Sequence, residues 1–187
     1  MNASDGTLRM GITNPSAARA FDDARSERAI FTAVVEPLMH DLLAYFTRRV
    51  TPREDAAECL SETLVALWRH RHKMPASPLD QRRWAYGVAR MTLANHARAQ
   101  RRQGALALRI RDDLIDGPQH EPDLAERVND ALETLHEKDR ELVRLIMWDG
   151  FGIAEAGALL HIRPGAARMR FARAKERLKR ELHDEQR

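Results

Sequence analysis

From about Ser26 onward, apolar residues recur every three or four positions along most of the chain. This is the spacing of α-helices that bury one face. The first run comprises Ile30, Val34, Leu38, Leu42 and Tyr45. Pro37 lies inside this run, and because proline lacks an amide donor it is expected to kink or split the helix. The pattern therefore predicts a helix, or a broken pair of helices, at the start of the ordered chain.

Two further helices carry start signals in the sequence. Thr51-Pro52-Arg53-Glu54 has the form of a capping box, with a capping Thr, Pro at the first helical position and Glu three residues after Thr. The helix that it opens is predicted to reach about residue 70, with a core stripe of Ala56, Leu60, Leu64, Leu67 and Trp68. Ser77-Pro78-Leu79-Asp80 opens a third helix in the same way, to about residue 102, after a short basic loop over residues 70–76.

The second half of the chain repeats the helical period after a break. Residues 103–121 contain glycine and proline with little apolar periodicity, and they are predicted to form a linker. Apolar residues then recur from Leu124 to Ile146, and Gly150 and Gly152 bracket a turn. A short helix over 153–160, a break over 161–163 and a helix beginning at Pro164 predict a helix-turn-helix.

These elements predict an all-α fold of two small helical domains joined by a flexible linker, with the second domain a winged-helix-like, four-helix helix-turn-helix. The 187-residue length suits one or two domains. The expected boundaries are a disordered extension over 1–25, a first domain over 26–102, the linker over 103–121 and a second domain over 122–187.

Charge is distributed unevenly although the formal net charge is only +3. Six arginines and no acid lie between Arg82 and Arg102, acids dominate residues 112–141, and basic residues dominate again from Arg163 to Arg180. The single cysteine, Cys59, excludes an intrachain disulfide and a cysteine-rich zinc site. No apolar run of about 18 residues or signal-like N-terminus is evident. The chain is thus expected to be cytoplasmic and without a membrane insertion.

The last helix has the layout of a DNA-reading helix. On a helical wheel its apolar stripe comprises Ala167, Phe171, Ala174, Leu178 and Leu182. Arg168 and Arg170 flank this stripe, and Met169 and Arg173 point away from it. Small residues near the helix start would allow close approach to a phosphate backbone, and arginines suit guanine edges and phosphates. The alternative is a solvated amphipathic helix, but the preceding short helix and turn favour DNA binding.

Two other faces have weaker signals. In the third helix Tyr86 and Arg90 share one face and Trp84 lies on the other, an arrangement that suits single-stranded nucleic acid. Spacing alone favours the alternative that Trp84 and Tyr86 are core aromatics. The second helix turns Glu58 and Glu62 away from its core stripe, toward either a basic partner or solvent.

Catalysis has little support in the sequence. The eight histidines form no metal-binding motif, and no phosphate loop or nucleophile elbow is present. The chain is predicted not to be an enzyme and to need no cofactor. An enzyme that uses histidines and acids is a competing hypothesis, which stoichiometric bound metal would support.

Several segments together resemble the extracytoplasmic-function (ECF) group of bacterial RNA polymerase sigma factors, in the sigma-70 family. AAECLSETLVALWR over residues 56–69 is similar to the family's AEDLVQETFLRLWR. WAYGVAR over 84–90 is similar to WLYRIAR, and NHAR over 95–98 to DHLR. Residues 131–135, 140–141 and 148–177 resemble the family's ALxxLPxxxRE and EGLSYxEIAxxLGISxGTVKSRLxRARxxL. The resemblance spans residues 30–182 apart from the linker.

The resemblance implies a factor that brings core RNA polymerase to promoter DNA, while the polymerase performs the chemistry. The second helix would dock the clamp helices of the largest polymerase subunit, and the second domain would bind the flap of the other large subunit. The implied polymerase-binding residues are Glu58, Ser61 and Glu62. The implied contacts with the −10 element are Lys73, Arg83, Trp84, Tyr86 and Arg90. The implied contacts with the −35 element are Arg163, Arg168, Met169, Arg170 and Arg173. The resemblance also implies an alternative sigma factor that responds to stress or another signal. An anti-sigma factor is implied as the partner that controls it.

The sequence departs from the family pattern at several contact positions. Glu58 replaces Asp and Ser61 replaces Gln in the second helix, and Met91 stands where Asn is common. Arg163 replaces a Ser in the turn before the last helix, where it could supply a phosphate contact. The preferred promoter sequence therefore does not transfer from the family.

A stand-alone helix-turn-helix regulator is the alternative function. Such a regulator would need a receiver or sensor domain in its first half. The segment from Trp68 to Arg102 shows neither alternating strands nor a ligand-pocket pattern, which favours the sigma factor.

Overall fold

A computed structural model describes residues 15–107 and 124–184, and within these ranges every regular element is a helix. The all-α prediction is confirmed. Packing divides the chain into two units, Met1–Leu38 and Met39–Arg187. The predicted division at residues 102–122 is a different one, and the predicted domain boundaries stay predictions.

The first unit contains helix α1, Pro15–Val35, followed by a 3₁₀ turn, Glu36–Leu38. Residues 15–25 were expected to be disordered, and that expectation is wrong because they form the start of α1. Pro15 suits the first helical position, and four alanines between residues 17 and 24 favour helix. Pro37 ends the regular helix as predicted. Residues 1–14 of the expected extension lie outside the described residues.

The second unit begins with the segment that we call the N-terminal half, residues 39–107. It contains α2 (Met39–Thr47), α3 (Asp55–Arg69), a 3₁₀ turn (Arg71–Lys73) and α4 (Pro78–Ala107). Helix α3 packs against α2 and α4. Leu42, Phe46 and Leu67 are fully buried, and burial raises the pKa of the Cys59 thiol to about 11. Cys59 is therefore a neutral core residue at physiological pH.

The expected capping box at Thr51 is wrong. Helix α3 begins at Asp55, and its cap residue, Glu54, accepts no side-chain hydrogen bond at the cap. The amides of Asp55 and Ala56 donate instead to the carbonyls of Pro52 and Arg53, at 3.3 and 3.1 Å. The preceding turn satisfies these amides with its own backbone, so a side-chain cap at Thr51 is not needed.

Helix α4 begins at Pro78, as its start signal predicted, and continues to Ala107, past the expected end near residue 102. The first residues of the predicted linker therefore extend this helix. The rest of the linker, 108–121, lies outside the described residues.

The C-terminal half of the second unit, residues 124–184, contains four helices. They are α5 (Leu124–Glu133), α6 (Glu137–Met147), α7 (Ile153–Leu159) and α8 (Pro164–Asp184). The core comprises Leu132, Leu135, Val143 and Ala174, with Val128, Phe171 and Leu178 packed against it. The predicted apolar stripe of α8 therefore faces this core, and the predicted helix-turn-helix is confirmed as α7 and α8.

The turn between α7 and α8 depends on one glycine. A Cβ added at Gly157 would lie 2.9 Å from the Cβ of Ala167 and 3.1 Å from the carbonyl oxygen of Ile162. The amide of Ile162 also donates to the Gly157 carbonyl at 2.8 Å, and His161 adopts a positive φ of 56°. Helix α8 can approach α7 this closely because position 157 has no side chain.

One segment of the described chain, Asp22–Thr47, is long and apolar enough to span a membrane by length and composition alone. The expectation that no such run exists is therefore wrong on composition. Pro37 interrupts the helix within this segment, and the large side chains of Leu42, Tyr45 and Phe46 are fully buried in the protein. Length and composition alone are weak evidence for a membrane span, so they do not assign one here.

Substitution Gly157→Ala is expected to lower the free energy of unfolding by about 1–3 kcal/mol. The new methyl group would overlap the Ala167 side chain and push α7 away from α8. Gly165→Ala is the matched control, since a Cβ there meets no atom within 4 Å. Alanine at position 165 should leave stability unchanged or raise it by up to about 1 kcal/mol. Urea unfolding followed by circular dichroism measures both, and equal stabilities would refute the packing constraint.

Candidate functional site

The start of α8 presents an exposed basic surface. Arg163 lies in the turn before the helix, and Arg168 and Arg173 lie on its outer side, all exposed. Met169 lies among them and is 56% exposed. We call these four residues the α8 surface. Its residue types and its place on the second helix of a helix-turn-helix suit entry into a DNA major groove.

Arg170 differs from its neighbours because it has a partner within the protein. Its Nη1 lies 3.2 Å from Oδ1 of Asp139 on α6. Both side chains remain partly exposed, so the pair contributes little stability. Arg170 therefore lies at the edge of the α8 surface, where its side chain faces Asp139 on α6.

A second exposed surface lies on α3. Glu58, Ser61 and Glu62 are all exposed, while Thr63 and Leu67 on the opposite side are fully buried. Ser61 and Glu62 border a shallow groove of about 390 Å³ that is also lined by Val65, Ala66, Arg69 and His70. The predicted outward face of this helix is confirmed, and we call Glu58, Ser61 and Glu62 the acidic α3 face.

The residues predicted to contact the −10 element are largely covered by other parts of the protein. Lys73 is exposed in its 3₁₀ turn and Trp84 is partly buried, but Tyr86 is fully buried. The Tyr86 ring packs edge-on against the rings of Tyr45 and Phe151, with centroids 5.4 and 4.7 Å away. In this arrangement Tyr86 is a core aromatic, the alternative that spacing alone favoured, and it is not available to stack on a base.

Arg83 and Arg90 also bind protein groups, and both reach from α4 to α7. Arg83 pairs with Glu155 at 3.0 Å and with Asp80 at 3.1 Å. Arg90 donates a hydrogen bond to the carbonyl of Leu159. We call Arg83, Tyr86 and Arg90 the covered α4 face, because the C-terminal half lies on it.

The same contact contains a charge cluster that the sequence analysis missed. The carboxylate of Asp149 is completely buried, with Arg48 and Arg49 each 2.5 Å from one of its oxygens. Arg82 donates to the backbone carbonyl of Asp149, and Arg49 also pairs with Glu141 at 2.9 Å. We call Arg48, Arg49, Arg82 and Asp149 the arginine cluster. Asp149 precedes a glycine and looked like an ordinary turn residue, so periodicity offered no signal for it.

Electrostatic interactions keep Arg49, the buried arginine of this cluster, charged. Burial alone would lower the pKa of Arg49, but electrostatic interactions with Glu141, Tyr45 and Asp149 outweigh this effect, so the pKa of Arg49 is raised. The guanidinium carbon also lies 3.8 Å from the centre of the Tyr45 ring. Burial, with the nearby Glu141 carboxylate, raises the pKa of Tyr45 in turn. Arg49 is therefore a permanent buried cation.

Two family models match the chain, one spanning most of the N-terminal half of the second unit and a few residues before it, the other spanning most of the C-terminal half. Residues 34–103 match sigma-70 region 2, and residues 125–178 match sigma-70 region 4. The first match covers the acidic α3 face and the covered α4 face, and the second covers the helix-turn-helix.

Two curated relatives agree with these matches. The ECF RNA polymerase sigma factor SigF of Caulobacter vibrioides is 32% identical over 134 residues, which cover 71% of this chain and 74% of that protein. The chain belongs to the ECF sigma factors of the sigma-70 family. The RNA polymerase sigma factor CarQ of Myxococcus xanthus is 44% identical to this sigma factor over 59 residues, 32% of this chain and 34% of that protein.

Solved structures share the fold. The sigma factor RpoE of Bartonella quintana, in complex with the anti-sigma factor NepR, superposes with a TM-score of 0.65 at 21% identity, over 82% of this sigma factor and 96% of that chain. CnrH, in complex with the cytosolic domain of CnrY, gives 0.60 at 22% identity, over 84% and 90%.

The family settles one alternative: a stand-alone regulator is excluded, because the first half matches region 2. On the other alternative, an enzyme, the family gives only the general statement that sigma factors are not enzymes in the usual sense.

Substitution Tyr86→Phe is expected to leave the stability of the sigma factor unchanged or to raise it by up to about 1 kcal/mol. The buried Tyr86 hydroxyl has no hydrogen-bond partner among the described residues, so removing it costs no contact. Burial raises the pKa of this hydroxyl to about 12, so the folded chain keeps its proton longer than the unfolded chain. Stability should therefore fall as pH rises from about 10 to 12, and less so in the Phe variant.

Urea unfolding at pH 7 and at pH 10.5 measures both effects. Tyr86→Ala is the control, since losing the ring should cost about 3–5 kcal/mol. A Phe variant that is less stable than the wild type by more than about 1 kcal/mol would mean that the hydroxyl does have a partner.

Proposed function

We propose that this sigma factor uses three separate surfaces in transcription initiation. The α8 surface and Arg170 contact the −35 duplex, the acidic α3 face binds core RNA polymerase, and residues of α4 and its preceding turn capture the −10 element. The observation that carries the assignment is the order of the two family regions on one chain, each with an exposed helix face of suitable charge. The proposed domains are residues 26–102 and 122–187, joined by the linker.

The −35 assignment rests on side-chain chemistry and access. Arg168 and Arg173 are exposed on the outer side of a helix whose inner stripe is packed. Arginine can donate two hydrogen bonds to the O6 and N7 atoms of guanine in the major groove. Arg163, at the start of the helix, is placed for a phosphate contact, which positions the protein without reading sequence.

The polymerase assignment rests on charge. Glu58 and Glu62 are exposed carboxylates one helical turn apart, beside a shallow groove that includes exposed Val65. A mixed acidic and apolar strip of this kind suits a basic partner surface, and the proposed partner is the clamp helices of the largest polymerase subunit, as the family resemblance implies. The proposed partner of the C-terminal half is the flap of the other large subunit.

The −10 assignment concerns Lys73, Arg83, Trp84, Tyr86 and Arg90. Aromatic and arginine side chains suit the capture of unstacked bases and their backbone. Lys73 is accessible as it stands, whereas the covered α4 face would have to be uncovered first.

Regulation by an anti-sigma factor in the cytoplasm completes the proposal. RpoE of Bartonella quintana is seen with the anti-sigma factor NepR. An alternative factor that responds to stress or to another signal must be held inactive between signals, and a protein partner of this kind would do so here.

Substitutions Arg168→Ala and Arg173→Ala are each expected to reduce transcription from the cognate promoter by about ten- to a hundredfold, which corresponds to the roughly 1–3 kcal/mol of a bidentate base contact. Sequencing the transcripts induced by overexpression identifies the promoter, and transcription with purified core polymerase measures the effect. Arg177→Ala is the control, because Arg177 is an exposed α8 arginine outside the proposed contacts that faces Glu181 at 3.8 Å. Full activity of both test variants would remove these arginines from the interface.

The double substitution Glu58→Lys and Glu62→Lys is expected to weaken binding to core polymerase by at least about tenfold, because reversing charge at an interface creates like-charge contacts that cost several kcal/mol. Gel filtration with core polymerase measures binding, and circular dichroism should show unchanged helicity, since both side chains face solvent. Glu176→Lys on α8 is the control for charge reversal. Binding equal to wild type would refute the polymerase assignment, and failure of the unsubstituted protein to bind would refute the function.

A further inference from the structure

A cleft beside the arginine cluster has the lining of a small-molecule site. We propose that it binds a nucleoside monophosphate, with the phosphate on Arg48 and Arg82 and the base on Trp148. The site shares only Tyr86 with the surfaces of the proposed function, and the proposal does not depend on that function.

The cleft lies between three segments of the second unit and has a volume of about 350 Å³. This volume is near the lower end of the range of about 300–1,000 Å³ that is typical of small-molecule sites. It therefore suits a ligand with one ring system and one charged group. The charged and aromatic side chains of its wall come from α2, α4 and the turn after α6, and they are Asp41, Arg48, Arg82, Tyr86, Trp148 and Asp149.

Arg82 is a cation of this wall without an acidic partner. Among the described residues no carboxylate lies within ion-pair distance of Arg82, and its hydrogen bond goes to the backbone carbonyl of Asp149. The guanidinium otherwise packs on rings, with its carbon atom 4.1 Å from the centre of Phe151 and 5.3 Å from that of Tyr86. Since a guanidinium has five N–H donors, Arg82 keeps donors for an anion.

Arg48 adds a second unused donor. Its Nη2 lies 2.5 Å from Oδ1 of Asp149, but its buried Nε has no hydrogen-bond partner among the described residues. The charge of Asp149 is thus balanced by Arg48. The charge of Glu141 is balanced by Arg49, so that of Arg82 remains available to a ligand.

The hydroxyl of Tyr86 is a third polar group without a partner. Tyr86 is completely buried, and its hydroxyl has no hydrogen-bond partner in the part of the chain that the structure describes. Burial is the largest cause of the raised pKa of this hydroxyl, and the next causes are the charges of Asp149, Arg82, Asp41 and Arg48. All four of these residues line the cleft, which indicates that the hydroxyl is on the cleft side of the ring. Because buried hydroxyls are nearly always hydrogen-bonded, a group that enters the cleft is expected to complete it.

The chemistry of the wall selects the ligand. Guanidinium N–H groups form strong hydrogen bonds with phosphate oxygens. Trp148, which is 43% exposed, offers an indole surface in the same cleft for a planar ring. Asp41 is exposed and has no ion pair among the described residues, so it can accept hydrogen bonds from ligand hydroxyl or amino groups while it repels a free phosphate dianion. A phosphate, a planar base and hydroxyl groups in one small molecule are the parts of a nucleoside monophosphate.

Isothermal titration calorimetry of the full sigma factor with the 5′-monophosphates of adenosine, guanosine, cytidine and uridine, each added alone, tests the proposal. At least one is expected to bind at one site per chain, and about tenfold or more tightly than inorganic phosphate, ribose 5-phosphate or its own nucleoside. Loss of the phosphate contacts or of base stacking each costs about that factor. The indole N–H signal of Trp148 in a nitrogen-15 NMR spectrum should shift on binding, whereas that of Trp68, which does not line the cleft, should not.

Tyr86→Phe and Arg82→Gln are the site variants. Each is expected to weaken binding of that nucleotide by about tenfold, because each removes a hydrogen-bond donor to a charged phosphate. Circular dichroism shows whether Arg82→Gln folds, and Tyr86→Phe, which is expected to keep its stability, tests the site in either case. Arg177→Gln is the matched control, since it removes the same charge from an exposed α8 arginine that faces Glu181, outside the cleft. It should leave nucleotide binding unchanged, which separates the cleft from general attraction to a basic helix.

Nucleotide binding that is weaker in both folded site variants and unchanged in Arg177→Gln would support the proposal. Inorganic phosphate or ribose 5-phosphate bound as tightly as every nucleotide would overturn the assignment of the ligand. Absence of nucleotide binding, or equal binding by Tyr86→Phe and the wild type, would overturn the site. Each of these outcomes leaves the proposed function intact, because transcription from the cognate promoter tests that function separately.

Discussion

A buried carboxylate, that of Asp149, sets the arrangement of the second unit. Moving Asp149 and Arg49 out of water has a large desolvation cost, and the cost is offset only when the charges meet at short range with good geometry. The structure provides this, with both oxygens of Asp149 at 2.5 Å from arginine nitrogens. Gly150, whose φ is 68°, turns the chain directly after Asp149. A single acidic residue in the turn after α6 thus binds arginines at the end of α2 and at the start of α4.

The regular part of the fold was predictable from the sequence because helices are specified locally. The spacing of apolar residues, the prolines at helix starts and the glycines at breaks predicted α4 and the helix-turn-helix. The apolar stripe of α8 predicted which side of that helix is buried. The capping box at Thr51 failed because backbone amides can be satisfied by a neighbouring turn as well as by a side chain. Helix formation in residues 15–25 was missed because alanine-rich sequence without an apolar stripe has no periodic signal.

The candidate site was predictable only where its residues face solvent. The α8 surface and the acidic α3 face were found because residues opposite a core stripe must point outward. Tyr86 and Arg90 fit the pattern of a nucleic-acid face as well as that of a packed helix, and the choice depends on contacts with residues about 70 positions away. Such pairing between distant segments leaves no trace in local spacing, which is why the arginine cluster had no sequence signal.

Two groups of arginines among the described residues lie in different electrostatic environments, and salt affects the two groups differently. Those of the α8 surface are in water, where mobile ions screen charge over about 8 Å at physiological ionic strength and compete for any phosphate contact. Arg49, with its side chain only 1% exposed, lies largely out of reach of those ions. A rise in ionic strength therefore weakens phosphate contacts of the α8 surface much more than it weakens the ion pairs of Arg49. The strength of DNA binding by the α8 surface, relative to that of the buried ion pair between Arg49 and Asp149, thus depends on ionic strength.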